Sequence, residues 1–93
     1  MISRHVTIKN TEGLCAGPAA YFVQEAVKYK SLITLEKETE DVRANAKSYL
    51  GVLALGVRCG TTIKLSADGV DETEALDALC LMINQSFQNV GSR

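Results

Sequence analysis

Apolar and polar positions change period along this chain, and each change marks an element. Val6 and Ile8 alternate with His5, Thr7 and Lys9, the period-two pattern of a half-buried strand. After Glu12-Gly13, apolar residues recur at Ala16, Ala19, Ala20, Val23, Ala26 and Val27, which places them on one face of a helix. Gln24, Glu25 and Lys28 fall outside that face. Ile33 and Leu35 alternate with Thr34 and Glu36 as a second strand. The charged stretch from Glu36 to Asp41 predicts a hairpin turn leading into a short strand near Val42. Lys47 to Ala54 reads as a short helix with Ser48 at or near its start, Gly51 inside it and Leu55-Gly56 as its stop. Ile63, Leu65 and Ala67 alternate with Thr62, Lys64 and Ser66 as the last strand, and Asp68-Gly69 is turn chemistry. Asp71 with Glu74 reads as a capping pair for a final helix whose core stripe is Leu76, Leu79, Cys80, Ile83 and Phe87. Gln88 to Arg93 reads as a loose tail.

The resulting order is strand, helix, two strands, helix, strand, helix. Strands with one apolar and one polar face suit an open-faced sheet whose helices cover the apolar side only, an α+β sandwich. The 93 residues are enough for one packed core, so the whole of 1–93 is expected to be one domain with its tail from about residue 88.

Composition narrows the function classes. Apolar content of 46% and charged content of 23% are ordinary for a globular protein. The net charge of -1 leaves no electrostatic footprint for nucleic acid or an anionic membrane surface. No apolar run approaches the roughly 20 residues of a spanning helix, and no signal peptide precedes the first strand. Three cysteines (Cys15, Cys59 and Cys80) at unrelated spacings argue against a disulfide framework and for a reducing cytoplasm. Without a Cys-x-x-Cys, and with His5 far from any cysteine in sequence, no metal site and no cofactor is expected.

The most specific segment is Gly13-Leu14-Cys15-Ala16-Gly17-Pro18. It reads as a strand-to-helix turn: Gly13 permits a tight bend, and Pro18 suits a first helical turn, where no intrahelical N–H is needed. The free amides of such a turn, with the helix dipole, make an anion-binding spot that presents Cys15.

This segment resembles the active-site turn of HPr, the histidine-containing phosphocarrier of the bacterial sugar phosphotransferase system. That family reads Gly-Leu/Ile-His-Ala-Arg-Pro-Ala there, so Cys15 stands at the position of the phosphorylated histidine and Gly17 at that of the arginine. Two further blocks carry the resemblance in the right order: Asn45 to Gly56, and Ala67 to Glu72 with the helix that follows. It spans Val6 to about Phe87 and implies a four-stranded antiparallel sheet with three helices on one face, in the order β-α-β-β-α-β-α. It also implies a second regulatory position, the serine that an ATP-dependent HPr kinase modifies in many Gram-positive bacteria. Ser48 matches it, and Tyr49, Leu50 and Leu53 match an apolar docking patch beside it, with Ala16 and Ala20 on the first helix. Tyr49 departs from the aliphatic residue usual there.

Three readings of Cys15 stay open: no phosphoryl role, a phosphocysteine carrier, or a redox or other thiol role. A carboxylate at Glu12 about 5 Å from a phosphoryl group would cost on the order of 3 kcal/mol per unit charge at an effective dielectric of 20, with no arginine at 17 to offset it. The resemblance therefore implies a regulatory or adaptor protein, a member of the subgroup that lacks the turn histidine but keeps the serine. It would not be an enzyme. Its partners would be HPr kinase and a catabolite-control transcription factor or other target, with enzyme I as a further partner if Cys15 carries phosphoryl groups. Monomer and dimer are both open. Ser48 has a purely structural reading too, as a helix cap. A Cys15–Cys59 redox pair is conceivable, Cys80 reads as core, and so do Phe22 and Phe87. His5 reads as a solvated strand residue, and Glu36 to Arg43 as a solvated hairpin.

Overall fold

A computed structural model describes residues 1–87 of the chain. The strands are β1 (Ile2–Thr7), β2 (Leu32–Lys37), β3 (Val42–Asn45) and β4 (Thr62–Asp68), and the helices α1 (Ala16–Ala26), α2 (Tyr49–Leu55) and α3 (Glu72–Asn84). All strand pairs are antiparallel, in the spatial order β1-β4-β2-β3. The register sets Val6 opposite Ile63, Leu35 opposite Leu65 and Ile33 opposite Ala67. These six side chains share one core with Phe22, Val52, Leu76, Leu79 and Ile83 of the three helices. The other sheet face carries His5, Thr7, Thr34, Lys64 and Ser66, none of them buried. A sheet that is apolar on one side needs only one layer of helices, and three suffice here.

Four local expectations are corrected. The first strand begins at Ile2, earlier than the alternation of Val6 and Ile8 suggests. Arg4 breaks the pattern because it occupies the inward face and pairs with Asp77 of α3. The Asp71–Glu74 capping pair does not form, and Asp71 makes no side-chain cap bond to α3. Its carboxylate instead accepts from the Lys30 and Ser31 amides at 2.8 and 3.0 Å and from the Ser31 hydroxyl at 2.5 Å. The residue that closes the turn before α3 is Glu72, which accepts from the Gly69 amide at 3.1 Å. Phe87 is buried, but not on the helix: α3 ends at Asn84, and Phe87 reaches the core through a backbone turn with φ 62°, its amide on the Met82 carbonyl at 2.9 Å. Val27 is the exposed C-cap of α1 rather than part of its buried stripe. The expected tail from Gln88 to Arg93 lies outside the described residues. Elsewhere the expected boundaries hold within a residue or two, and Gly56 closes α2 in the left-handed conformation with φ 64°.

Candidate functional site

The turn before α1 is built by its glycine. Gly13 has φ +71°, and its amide donates to the Asn10 carbonyl at 3.1 Å while the Asn10 side-chain amide donates to the Gly13 carbonyl at 2.8 Å. A β-carbon at Gly13 would lie 2.5 Å from the Val57 carbonyl oxygen and 2.8 Å from Arg58 Cα, so only glycine lets the turn seat on the segment after α2. The Leu14 amide donates to that same Val57 oxygen at 2.9 Å, and the Leu14 side chain is buried beneath.

Anchored this way, Cys15 becomes the N-cap of α1, extended at φ -137°, ψ 161° and exposed. Its thiol donates to the Glu12 carbonyl at 3.1 Å and caps no helix amide. Ala16 follows with φ 42°, a conformation costly for a residue with a β-carbon. Gly17 is exposed, and a β-carbon there would meet nothing within 4 Å. The first turn of α1 thus has no side-chain cap from Cys15. The Glu12 carboxylate leans back toward the Asn10 side-chain amide, 3.5 Å away.

Ser48 is the N-cap of α2, and its hydroxyl oxygen accepts from the Gly51 amide at 3.2 Å. The segment before it is pinned from two sides. The Lys47 and Ser48 amides donate to the Asn45 side-chain and main-chain oxygens at 2.9 and 3.0 Å, and the Lys47 ammonium donates to the Tyr29 carbonyl at 2.6 Å. Ser48 itself remains exposed. Leu50 is 75% exposed next to it, Tyr49 is also exposed, and Leu53 is half-buried against the core. On α1, Ala16 is exposed and Ala20 half-buried. The Tyr49 hydroxyl donates to the Ala16 carbonyl at 3.4 Å, which draws the starts of the two helices together.

Sequence reasoning did not find the Val57–Arg58 segment that holds the turn, nor the reach of Lys47 to Tyr29. Neither leaves a local signal, because both depend on partners distant in the chain. Cys59 is exposed, and its thiol donates to the Lys9 carbonyl at 3.6 Å. Cys80 is half-buried rather than fully in the core, at the rim beside Arg4, and burial pushes its thiol pKa up. His5 is exposed, with Nε2 2.7 Å from the Glu38 carboxylate. A groove of about 380 Å³ runs along β1, lined among others by Arg4, Lys9, Thr62, Cys80 and Asn84, and includes none of the residues of either helix start. Among the described residues, no three His, Cys, Asp or Glu side chains gather as metal ligands, and no helix is long and apolar enough to cross a membrane.

Comparison with known proteins gives consistent results. The family model for the PTS HPr component phosphorylation site matches residues 2–85. The HPr-like protein Crh of Halalkalibacterium halodurans is 44% identical over 85 residues, covering 91% of this chain and 99% of that protein. Phosphocarrier protein HPr of Treponema pallidum is 38% identical over 88 residues, covering 95% and 98%. The crystal structure of HPr-C-His from Thermoanaerobacter tengcongensis superposes with a TM-score of 0.88 at 47% identity, covering 94% of this chain and 96% of that one.

Proposed function

We propose a function from one premise: this chain belongs to the HPr family of the bacterial phosphotransferase system. It acts as a regulatory adaptor of the Crh kind rather than as a sugar phosphocarrier, a cytoplasmic protein of one domain, 1–93, and not an enzyme. The observation that carries this reading is the pairing of an exposed, backbone-anchored Ser48 with an exposed apolar neighbour, Leu50. The turn before α1, by contrast, offers a thiol where the family's chemistry uses an imidazole, and no arginine at 17.

In this mechanism HPr kinase transfers the γ-phosphoryl group of ATP to Ser48 Oγ, releasing ADP and the hydroxyl proton. The added charge of about −2 sits at the start of α2, where a helix tolerates anions. The phosphate oxygens take over the acceptor role of Ser48 toward Gly51, so the cap survives the modification. The phosphate offers strong acceptors to an arginine-bearing partner, and Leu50, Tyr49 and Leu53 with Ala16 and Ala20 supply the apolar contact. A catabolite-control transcription factor fits that description.

A second reading has its own support. Cys15 is exposed at a helix start and its thiol is not spent on capping, so a carrier that accepts a phosphoryl group from enzyme I on Sγ is chemically open. A third is a binding module that needs no phosphorylation. Titration of the transcription factor with kinase-treated and untreated protein separates the adaptor from the binding module. The adaptor reading expects binding at least tenfold tighter after treatment, about 1.4 kcal/mol, and no gain for Ser48→Ala. Equal binding by Ser48→Ala and the treated wild type would favour the binding module.

A further inference from the structure

The two exposed thiols of this chain rest on one turn. Cys15 Sγ donates to the carbonyl of Glu12 and Cys59 Sγ to the carbonyl of Lys9, the two ends of the same backbone bend. Three residues of chain reach at most about 10 Å, and here the chain is folded back between the two carbonyls by the Gly13-to-Asn10 amide bond. The segments bearing the cysteines are also fastened to each other. Gly13 packs on Val57 and Arg58 with no room for a β-carbon, Leu14 donates to Val57, and the Gly60 amide donates to the Ile8 carbonyl at 2.7 Å. These contacts hold both segments against the same bend, although they are far apart in sequence.

We propose that Cys15 and Cys59 form a hydroperoxide-oxidised thiol pair that closes into an intrachain disulfide across the turn at residues 9–13. In the first step the Cys15 sulfur attacks the distal oxygen of the hydroperoxide. The O–O bond breaks, sulfenic acid forms on Cys15, and the alcohol (water, for hydrogen peroxide) leaves. In the second, the Cys59 sulfur attacks the Cys15 sulfur, the S–O bond breaks, and water leaves as the S–S bond forms. The peroxide is reduced by two electrons and the two thiols are oxidised by two. Bonding requires β-carbons about 4 Å apart, so both thiols must leave their carbonyls and the Cys59 loop must swing inward. Gly60 supplies the pivot: it has φ +91°, and a β-carbon added there would meet nothing within 4 Å, so the loop turns about it once its amide bond to the Ile8 carbonyl is released. A disulfide of this kind in a reducing compartment is transient and signal-bearing rather than structural. It places the oxidisable group at the start of α1, on the surface assigned above to partners, but its formation does not depend on Ser48.

The test is the intact mass of the folded protein after brief hydrogen peroxide treatment, thiol blocking and denaturation. The expected product is a monomer that carries a single blocking group, on Cys80, and is otherwise lighter by two hydrogens, with peptides bridged between Cys15 and Cys59. Cys59→Ser should remove that species and send Cys15 on to forms heavier by two or three oxygens, while Cys80→Ser should leave it in place. A wild type that oxidises only by gaining oxygens, or a bridge that maps to Cys80 or between two chains, overturns the proposal. Cys59 is exposed and its serine variant keeps a donor for Lys9, so its folding is not at issue.

Discussion

At the residue scale, Gly13 and Gly17 flank Cys15 under opposite constraints. Gly13 combines positive φ with backbone 2.5 Å from any added β-carbon, whereas Gly17 faces open space. Gly13→Ala is therefore expected to cost about 2–3 kcal/mol, a fall of about 8 °C or more in melting temperature at roughly 4–8 °C per kcal/mol. Gly17→Arg should stay within about 0.5 kcal/mol of wild type in the same thermal scan. Asp71 bears on pH. Hydrogen bonds from the Ser31 hydroxyl and the Lys30 amide hold its carboxyl below the usual range. The ionised form is thus favoured in the folded protein. Its stabilising effect is complete above the unfolded carboxyl pKa, about 4, and is lost as pH falls through the lowered folded value. Urea unfolding at neutral and acid pH should show Asp71→Asn weaker at pH 7 and losing less stability on acidification than wild type. A sequence window shows Asp71 as a helix cap because Ser31, its real partner, lies 40 positions away. The turn glycine, by contrast, is legible locally, since its backbone conformation and the helix start behind it are both short-range matters.

At the scale of elements, periodicity located β1, α1, β2, β4 and α3, because each buries one face against a single core, whereas β3, with no buried residue, and α2 were placed from the turn and cap residues around them. It failed where a long-range partner decided the outcome. Arg4 faces inward against Asp77, and Phe87 enters the core from beyond the end of α3. The start of α2 is the element that matters for function. Ser48 was legible as a cap, but the anchoring of its segment by Lys47 on Tyr29 was not, since that carbonyl lies 18 residues upstream. Ser48→Ala should cost about 1 kcal/mol through the lost cap, read by chemical denaturation, and Ser48→Thr should restore most of it. Tyr49→Phe should change stability by less than about 0.5 kcal/mol, because its contact with Ala16 is long and solvent-exposed.

For the whole molecule, the sheet order β1-β4-β2-β3 sets β4 between β1 and β2. The loops that follow β1 and α2 meet there, at the point where Gly13 seats on Val57. The two helix starts, far apart in sequence, become one surface joined by Tyr49 and Ala16. That surface was legible only through resemblance to the HPr family, since no periodicity announces which exposed residues will be neighbours. If side-chain chemistry, and not the frame, separates this chain from a phosphocarrier, then Cys15→His with Gly17→Arg should gain a phosphoryl group from phosphoenolpyruvate and enzyme I. A β-carbon added at Gly17 meets nothing within 4 Å. The central claim is that phosphoryl chemistry runs through Ser48 and not Cys15. Its most direct test is the intact mass of the wild type after exposure to phosphoenolpyruvate with enzyme I and to ATP with HPr kinase together, ordinary HPr serving as control. A single phosphoryl adduct that persists in Cys15→Ala and disappears in Ser48→Ala is the result this account predicts. An adduct that disappears in Cys15→Ala would contradict it and make the chain a carrier.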